Sequence, residues 1–343
     1  FDKVLVIGLG QLGLPVAKYV KDRGFDVYGY DISTKALERA EKTAGIKRAT
    51  NFSGFDVYII CVSTHKQEDM FSPQIDGILS IVQDKISKEA KNGALVVIES
   101  TIPKGTSKKV FEMLNHRLHV AHAPHRWYAL EEKEHGVNQL RVVGGVCDCC
   151  LRVALQFYDG SQSSSSLLLL SSSPSSLPIS TTLTTLPPTS SSPLSSSPSS
   201  SPSTELEPQL GVSSGNKIIE SNKKPNLGIP MHPVPEIEIA ELTKIIENAH
   251  RYLQIAFAED LYLYCQANNM NFAELRDSLN TKWNVNILEP REGIGGHCLP
   301  KDTKMFLNSS KSIKSKIIAA ALEVDNEYRT YRESRSERTP HFD

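Results

Sequence analysis

The turn Gly8-Leu9-Gly10-Gln11-Leu12-Gly13 constrains the fold more than any other stretch, because of what stands on either side of it. Before it runs the short apolar segment Lys3-Val4-Leu5-Val6-Ile7, and after it Leu14-Pro15-Val16-Ala17-Lys18-Tyr19-Val20 carries a helical pattern. Strand, glycine turn and helix in that order open a βαβ unit in which a pyrophosphate lies on the helix N-terminus. Gly8 permits the tight turn, Gly10 lets a phosphate approach the backbone, and Gly13 lets the helix close on the strand. A second strand pattern, Asp26-Val27-Tyr28-Gly29-Tyr30, ends at Asp31, about 20 residues past the glycines, where an acid accepts a ribose 2′-hydroxyl and repels a 2′-phosphate. The expected cofactor is therefore NAD rather than NADP, held by Gly8, Gly10, Gln11, Leu12, Gly13, Asp31 and Lys35.

The rhythm repeats. Residues 55–62 read as a buried strand running into Ser63-Thr64-His65, and residues 94–99 as another running into Ser100-Thr101-Ile102-Pro103-Lys104-Gly105-Thr106. Strands alternating with helices imply an α/β fold, a Rossmann-type parallel sheet whose ligands bind beyond the strand C-termini. Thr64 and Thr101 fall at that edge and are expected at the cofactor. Capping of the following helix is the alternative for either hydroxyl.

At 343 residues the chain has material for two compact units, and 39% hydrophobic content gives it a core. With 38 Lys and Arg against 39 Asp and Glu, no global charge draws it to nucleic acid or a membrane, so a small polar ligand is expected. No apolar run approaches the roughly 20 residues that cross a bilayer, and the opening strand pattern is not a signal peptide. Six irregularly spaced cysteines do not suggest a disulfide framework, which favours a reducing cytoplasm. Three of them, Cys147, Cys149 and Cys150, head a helical pattern. No second Cys or His pair lies near them in sequence, and no metal site is expected.

From about residue 159 to 204 the sequence is almost entirely Ser, Pro, Leu and Thr, with no period that buries a face. The expected organisation is a Rossmann domain over 1–158, a disordered insert over 159–226, a helical central domain over 227–331 and a charged tail over 332–343. Residues 237–266 form a long amphipathic helical pattern that aligns Glu241, Lys244, Asn248 and Arg251 along one side. A Lys four residues before an Asn can point an ammonium and an amide at one substrate oxygen; a solvated charged face is the alternative. Further on, Gly293-Ile294-Gly295-Gly296-His297-Cys298-Leu299-Pro300-Lys301-Asp302 sets a cysteine on a glycine-rich turn with an acid four positions later. Cys298 is expected as a nucleophile in a cleft, a buried cysteine beside a loop being the alternative.

Taken together, the glycine turn, the residues 100–106 loop, Ala240-Glu241-Leu242 with Lys244, Asn248 and Arg251, the Asn280-Thr281 pair, and Gly295-Gly296-His297-Cys298 with Asp302 resemble the UDP-glucose/GDP-mannose dehydrogenase family. The Gly-Gly-His-Cys-Leu-Pro loop and Pro124-His125-Arg126 are more similar to its UDP-N-acetylmannosamine dehydrogenase branch. The resemblance implies NAD-dependent oxidation of a nucleotide-sugar C6 alcohol to the carboxylate by two hydride transfers. It implies a water or base near Lys244, Asn248 and Asp302 that takes the hydroxyl proton, Lys244 at the developing oxyanion, and Cys298 as the carrier of a thiohemiacetal and then a thioester. Thr101 and His125 would join the catalytic set, and Arg126, Lys244, Asn248, Arg251, Gly295 and Gly296 would meet the substrate.

The chain departs from the family pattern at His125, where a Glu is usual. A histidine can replace it as a base near neutral pH in thioester hydrolysis. The second departure is the family's C-terminal nucleotide-binding domain, expected to be missing here. Residues 315–331 resemble the family's central dimer helix, with Ile317, Ile318, Ala321 and Val324 expected against a second copy. Two other readings fit the Lys/Asn helix behind an NAD domain: a 3-hydroxyacid dehydrogenase-like enzyme that stops at one oxidation, and a non-catalytic NAD-binding relative.

Overall fold

The structure, a computed structural model, describes residues 1–65, 73–126, 136–160, 226–296, 298–312 and 314–336. The Ser/Pro/Leu-rich insert expected to be disordered lies, apart from its ends, outside the described residues. In order, the first half forms β1 (Lys3–Ile7), α1 (Gly13–Asp22), β2 (Asp26–Tyr30), α2 (Thr34–Ala44), β3 (Lys47–Arg48) and β4 (Val57–Ile60). Then come α3 (Asp76–Ile81), which continues through a π-helical turn at Val82–Ile86, β5 (Leu95–Ile98), α4 (Thr106–Met113), β6 (His119–His122), β7 (Arg141–Gly145) and α5 (Asp148–Tyr158). The second half contributes β8 (Met231–Pro233), α6 (Ile237–Ala267), α7 (Phe272–Leu279), α8 (Cys298–Asn308) and α9 (Lys316–Ser336).

These strands make one sheet in the order β3-β2-β1-β4-β5-β6-β7-β8. Because successive side chains point to opposite faces, each central strand feeds two cores. Val4 and Val6 of β1 pack with Val16, Ala17 and Val20 of α1 on one face. Leu5 and Ile7 pack with Ile78, Val82, Ile86 and Val110 on the other. Burial on both faces is why β1, β4 and β5 read as unbroken apolar runs and not as alternating ones.

Strands β1 to β6 are parallel, as expected. The far edge is not: β7 pairs antiparallel with β6, and β8 runs with β7. An antiparallel neighbour needs no helical crossover, and such edges are common on otherwise parallel sheets. The expected boundary at residue 227 also moves. Leu227 and Ile229 are buried in the Rossmann core, their amides donating to Phe157 O and Tyr158 O at 3.0 Å each, and residues 231–233 complete the sheet. The helical part begins at α6.

α6 has 31 residues and is about 46 Å long. Its first turns lie on β7, with Val142, Val234 and Ala240 in contact, and its middle packs on α8 and α9 through Tyr252, Ala256, Ile294 and Ala321. Two of the positions expected to meet a second copy, Ala321 and Val324, take part in that packing. Ile318 and Ala321 are buried, and Val324 packs against the same cluster, leaving Ile317 exposed. α9 also runs on to Ser336, into the segment expected as a tail. Among the described residues no helix is long and apolar enough to cross a membrane.

Candidate active site

The sheet reverses its direction of winding between β1 and β4, and the loops after those two strands meet there. The glycines divide the work as expected. A Cβ on Gly8 (φ +87°) would stand 2.6 Å from Cys61 O of the β4 loop, and one on Gly13 would stand 1.7 Å from Gly8 O. A Cβ on Gly10 would meet nothing within 4 Å, so that face of the turn is open to a ligand. No side chain caps α1, which leaves its first N–H groups for an anion. Asp31 stands at the end of β2, its carboxylate accepting from Leu9 N and Ser33 N, both at 2.7 Å. It thus holds the glycine turn. Gln11 and Lys35 are exposed and Leu12 is half-buried at the helix start. The residues present fit a dinucleotide.

At the same sheet edge, two helices of the second half bring the catalytic candidates together. Asn248 Nδ2 on α6 donates to Asp302 Oδ2 on α8 at 2.5 Å. Lys301 Nζ donates to Asp302 Oδ1 at 2.6 Å and to Thr64 Oγ1 at 3.2 Å. Thr64, expected at the cofactor, is therefore the point at which the cysteine helix is tied to the Rossmann edge. Lys301 and Asp302 are buried, so their pairing is screened little by solvent. Thr101 is half-buried at the end of β5, beside Ser100, whose hydroxyl donates to Val62 O at 2.7 Å. Glu241, grouped by sequence with Lys244 and Asn248, instead accepts from Gly105 N at 2.6 Å and Ser107 N at 2.8 Å. It satisfies the N-terminus of α4 and fixes α6 to the residues 100–106 loop.

Cys298 is exposed and is the first residue of α8, so Pro300 sits in a first helical turn, where its missing N–H costs nothing. Although Cys298 reaches the surface, protein packed around its sulfur raises the thiol pKa, with the Asp302 carboxylate adding to this and the fields of Lys301 and Lys244 opposing it. Gly295 and Gly296, just before it, are exposed, and a Cβ on either would meet nothing within 4 Å. His297 lies outside the described residues.

Beneath this edge His125 joins a polar cluster whose other members, Glu99, Arg141 and Tyr158, were not among the expected site residues. Glu99, 1% exposed at the end of β5, lies 2.9 Å from Arg141 Nη1 and 2.5 Å from His125 Nε2, and Tyr158 donates its hydroxyl to the same carboxylate. Burial alone would raise the Glu99 pKa, but Arg141 and His125, with the Tyr158 hydrogen bond, outweigh it and hold it at about 2. His125 is depressed to about 4, by burial first and then by Arg141, with Lys244 adding to the effect and Glu99 opposing it. The imidazole is therefore neutral and weakly basic at neutral pH, so burial and Arg141 remove it from the range expected of a base there. The Arg126 guanidinium pairs with Glu247 of α6 and donates to Leu140 O at 3.1 Å. Arg251 is exposed and donates to Gln254 Oε1 at 3.4 Å.

The cysteine loop is clasped from behind by α9. Asp325 accepts from Ile294 N at 3.1 Å and from Tyr252 OH at 2.8 Å, and Arg329 pairs with it at 3.1 Å. Buried beside it, Glu259 has its pKa raised to about 8 by desolvation and the Asp325 charge. The folded chain therefore keeps a proton on Glu259 that the unfolded chain loses near the ordinary value of about 4.3. Stability from this group is intact below that value and falls as pH rises toward 8. Glu259→Gln should flatten the decline in the urea midpoint between about pH 5 and 8; a wild-type slope in the variant would refute the assignment.

The sequence signal for Glu99 was a charge closing an otherwise apolar strand, and for Lys301 its place beside Asp302. Asp325 and Arg329 gave none, since their role depends on where α9 packs.

Residues 38–160 match the NAD binding domain of the UDP-glucose/GDP-mannose dehydrogenase family, and residues 238–327 match its central domain. The UDP-N-acetyl-D-mannosamine dehydrogenase of Methanococcus maripaludis is 25% identical over 96% of this chain and 66% of its own length. That of Campylobacter jejuni is 26% identical over 95% of this chain and 72% of its own length. Among solved structures, the UDP-D-ManNAc dehydrogenase of Pyrococcus horikoshii superposes with a TM-score of 0.67 at 23% identity, covering 97% of this chain and 70% of that one. A 3-hydroxyisobutyrate dehydrogenase of Mycobacterium tuberculosis shares the fold at a TM-score of 0.61 and 12% identity, covering 96% and 94%. The chain thus spans about two thirds of the length of the mannosamine dehydrogenases it matches. With both domains of one family matched in order, and the glycine crevice and the Cys298 helix at one sheet edge, the chain belongs to the UDP-glucose/GDP-mannose dehydrogenase family, and its Rossmann half is that family's NAD-binding domain.

Proposed function

We propose that the chain is an NAD-dependent nucleotide-sugar 6-dehydrogenase that oxidises the C6 alcohol of a UDP-sugar, of the N-acetylhexosamine class, to the carboxylate. The observation that carries this reading is the convergence of Asn248, Asp302 and Lys301 with Thr64 at the dinucleotide edge, with Cys298 at the head of the same helix. The branch follows from relatives whose names specify UDP-N-acetyl-D-mannosamine.

The glycine crevice with Asp31 would hold NAD, which would supply the acceptor for hydride from the substrate carbon. The chain's own groups manage protons and charge. Asp302, fixed by Asn248 and Lys301, serves through a water as the acceptor of the hydroxyl proton, and Lys244 stabilises the oxygen on which negative charge gathers. Cys298 then adds to the aldehyde: the S–C bond forms, the carbonyl π bond breaks, and its oxygen takes a proton to give a thiohemiacetal. Because the resting thiol is protonated, its proton must leave as the bond forms, and Asp302 lies one helical turn away to receive it. Oxidation of the thiohemiacetal to the thioester loses a second hydride and a proton and would need a second NAD exchanged for the reduced one; water then releases the carboxylate and returns the thiol. Covalent capture keeps the aldehyde in place between the two oxidations.

A second reading, a two-electron 3-hydroxyacid dehydrogenase, draws on the shared fold with the Mycobacterium tuberculosis protein. It has no use for Cys298. Screening nucleotide sugars for NAD reduction and counting NADH per sugar consumed separates the two. Two NADH per UDP-N-acetylhexosamine is the expected result. A count of one, or turnover of a simple 3-hydroxyacid instead, would overturn the proposal.

A further inference from the structure

The fold supplies the fourth ligand that the spacing of Cys147, Cys149 and Cys150 lacks. Cys147 occupies the N-cap of α5, and the other two thiols lie in its first turn. Cys147 Sγ stands 2.7 Å from Cys149 Sγ and 3.1 Å from Cys150 Sγ. His119, the first residue of β6, brings a ring nitrogen to within 4.8 Å of the Cys149 and Cys150 sulfurs, because β6 and β7 pair side by side and α5 starts just after β7. Cys147 is outside that three-residue group and joins it through its own contacts with the two sulfurs, so its side chain must turn toward His119 to complete the set. We propose that these four side chains form a structural zinc site of the three-cysteine, one-histidine type.

The chemistry around the cluster suits thiolates. The Val120 amide donates to Cys150 Sγ at 3.4 Å, an N–H to sulfur contact of the kind that supports metal-bound sulfur. The sulfurs also lie at the N-terminal end of α5, whose dipole complements negative charge on metal-bound sulfur. Zinc at about 2.3 Å from each sulfur separates two thiolates by about 3.8 Å, so the surface thiols Cys147 and Cys149 rotate outward as the ion enters. Four protein ligands leave no open position, which marks a structural centre. Its location agrees: His119 begins β6 at the edge of the sheet opposite Thr64 and Thr101, where the ion would pin α5 to the β6–β7 pair.

The competing product is a disulfide between Cys147 and either neighbour, formed by loss of two protons and two electrons to an oxidant such as glutathione disulfide. The chain, purified anaerobically under reducing conditions and stripped of metal, is titrated with Co(II) and then Zn(II). One Co(II) per chain with tetrahedral d–d bands and thiolate charge-transfer absorption, bleached by zinc, is expected. Zinc should shield Cys147, Cys149 and Cys150 from alkylation while Cys298 still reacts, as read by peptide mass spectrometry. His119→Gln should weaken zinc binding at least about tenfold. Absence of the charge-transfer bands in the wild-type chain, equal alkylation with and without zinc, or a fresh protein already two hydrogens lighter across this peptide would each overturn the proposal.

Discussion

Replacing Cys298 by alanine is expected to leave the first oxidation running and stop the second, so that NADH per sugar falls from two to one and aldehyde accumulates. The variant keeps the Asn248, Asp302 and Lys301 contacts, none of which uses the thiol. What it removes is the nucleophile that turns an aldehyde, a poor hydride donor until it is hydrated or captured, into a thiohemiacetal. Loss of a catalytic nucleophile is felt at the scale of at least about a thousandfold, and that deficit should fall on the second oxidation. The raised thiol pKa adds a pH signature. In the wild-type chain the second oxidation should still gain rate above pH of about 8.5, where an unperturbed thiol levels off, because the thiolate fraction is still growing. The alanine variant should lose that rise. Unchanged turnover and stoichiometry would remove Cys298 from the mechanism.

Elements whose structure follows from local pattern were legible before any coordinates. β1, the glycine turn, Asp31 and the long helix through Lys244 and Asn248 each carry their reason in a run of neighbouring residues: an apolar stretch buried on both faces, a turn that only glycine fits, a helical repeat. The pairing of Asn248 with Asp302 was also within reach, because both residues stand in patterns that resemble one family. What depended on the packing of distant segments was not legible. Glu241 looked like a member of the catalytic row, but α6 starts against β7 and delivers it to the N-terminus of α4. Ala321 and Val324 were expected at an interface, and within the folded chain they pack beside Tyr252 and Ile294, an intrachain contact that no local pattern announces. His125 looked like a base near neutrality, a property set by Arg141 and by burial, neither of which is adjacent in sequence.

Glu99→Ala should have the largest effect on stability. Its carboxylate is the common partner of Arg141, Tyr158 and His125, and Glu99 and Arg141 are each 1% exposed. Removing it leaves a guanidinium buried without its counter-charge, since Val137 O at 2.7 Å and the Tyr158 ring at 5.7 Å are neutral. Breaking one side of a buried ion pair costs about 3–5 kcal/mol, a large share of the roughly 5–15 kcal/mol that holds a domain folded. The thermal midpoint should fall by on the order of 10 °C. Glu99→Gln should recover part of this, since an amide oxygen can still accept from Tyr158 while lacking the charge. Pairing Glu99→Ala with Arg141→Met should do better still, because replacing both partners by apolar groups removes the uncompensated charge. If the double variant is no more stable than Glu99→Ala alone, the cluster is not held by this ion pair. The cluster also fixes His125 and the end of β5 that leads to Thr101, so turnover should fall with the midpoint in Glu99→Ala. Restoration of the midpoint without turnover in the double variant would separate the positioning of His125 and Thr101 from simple stability.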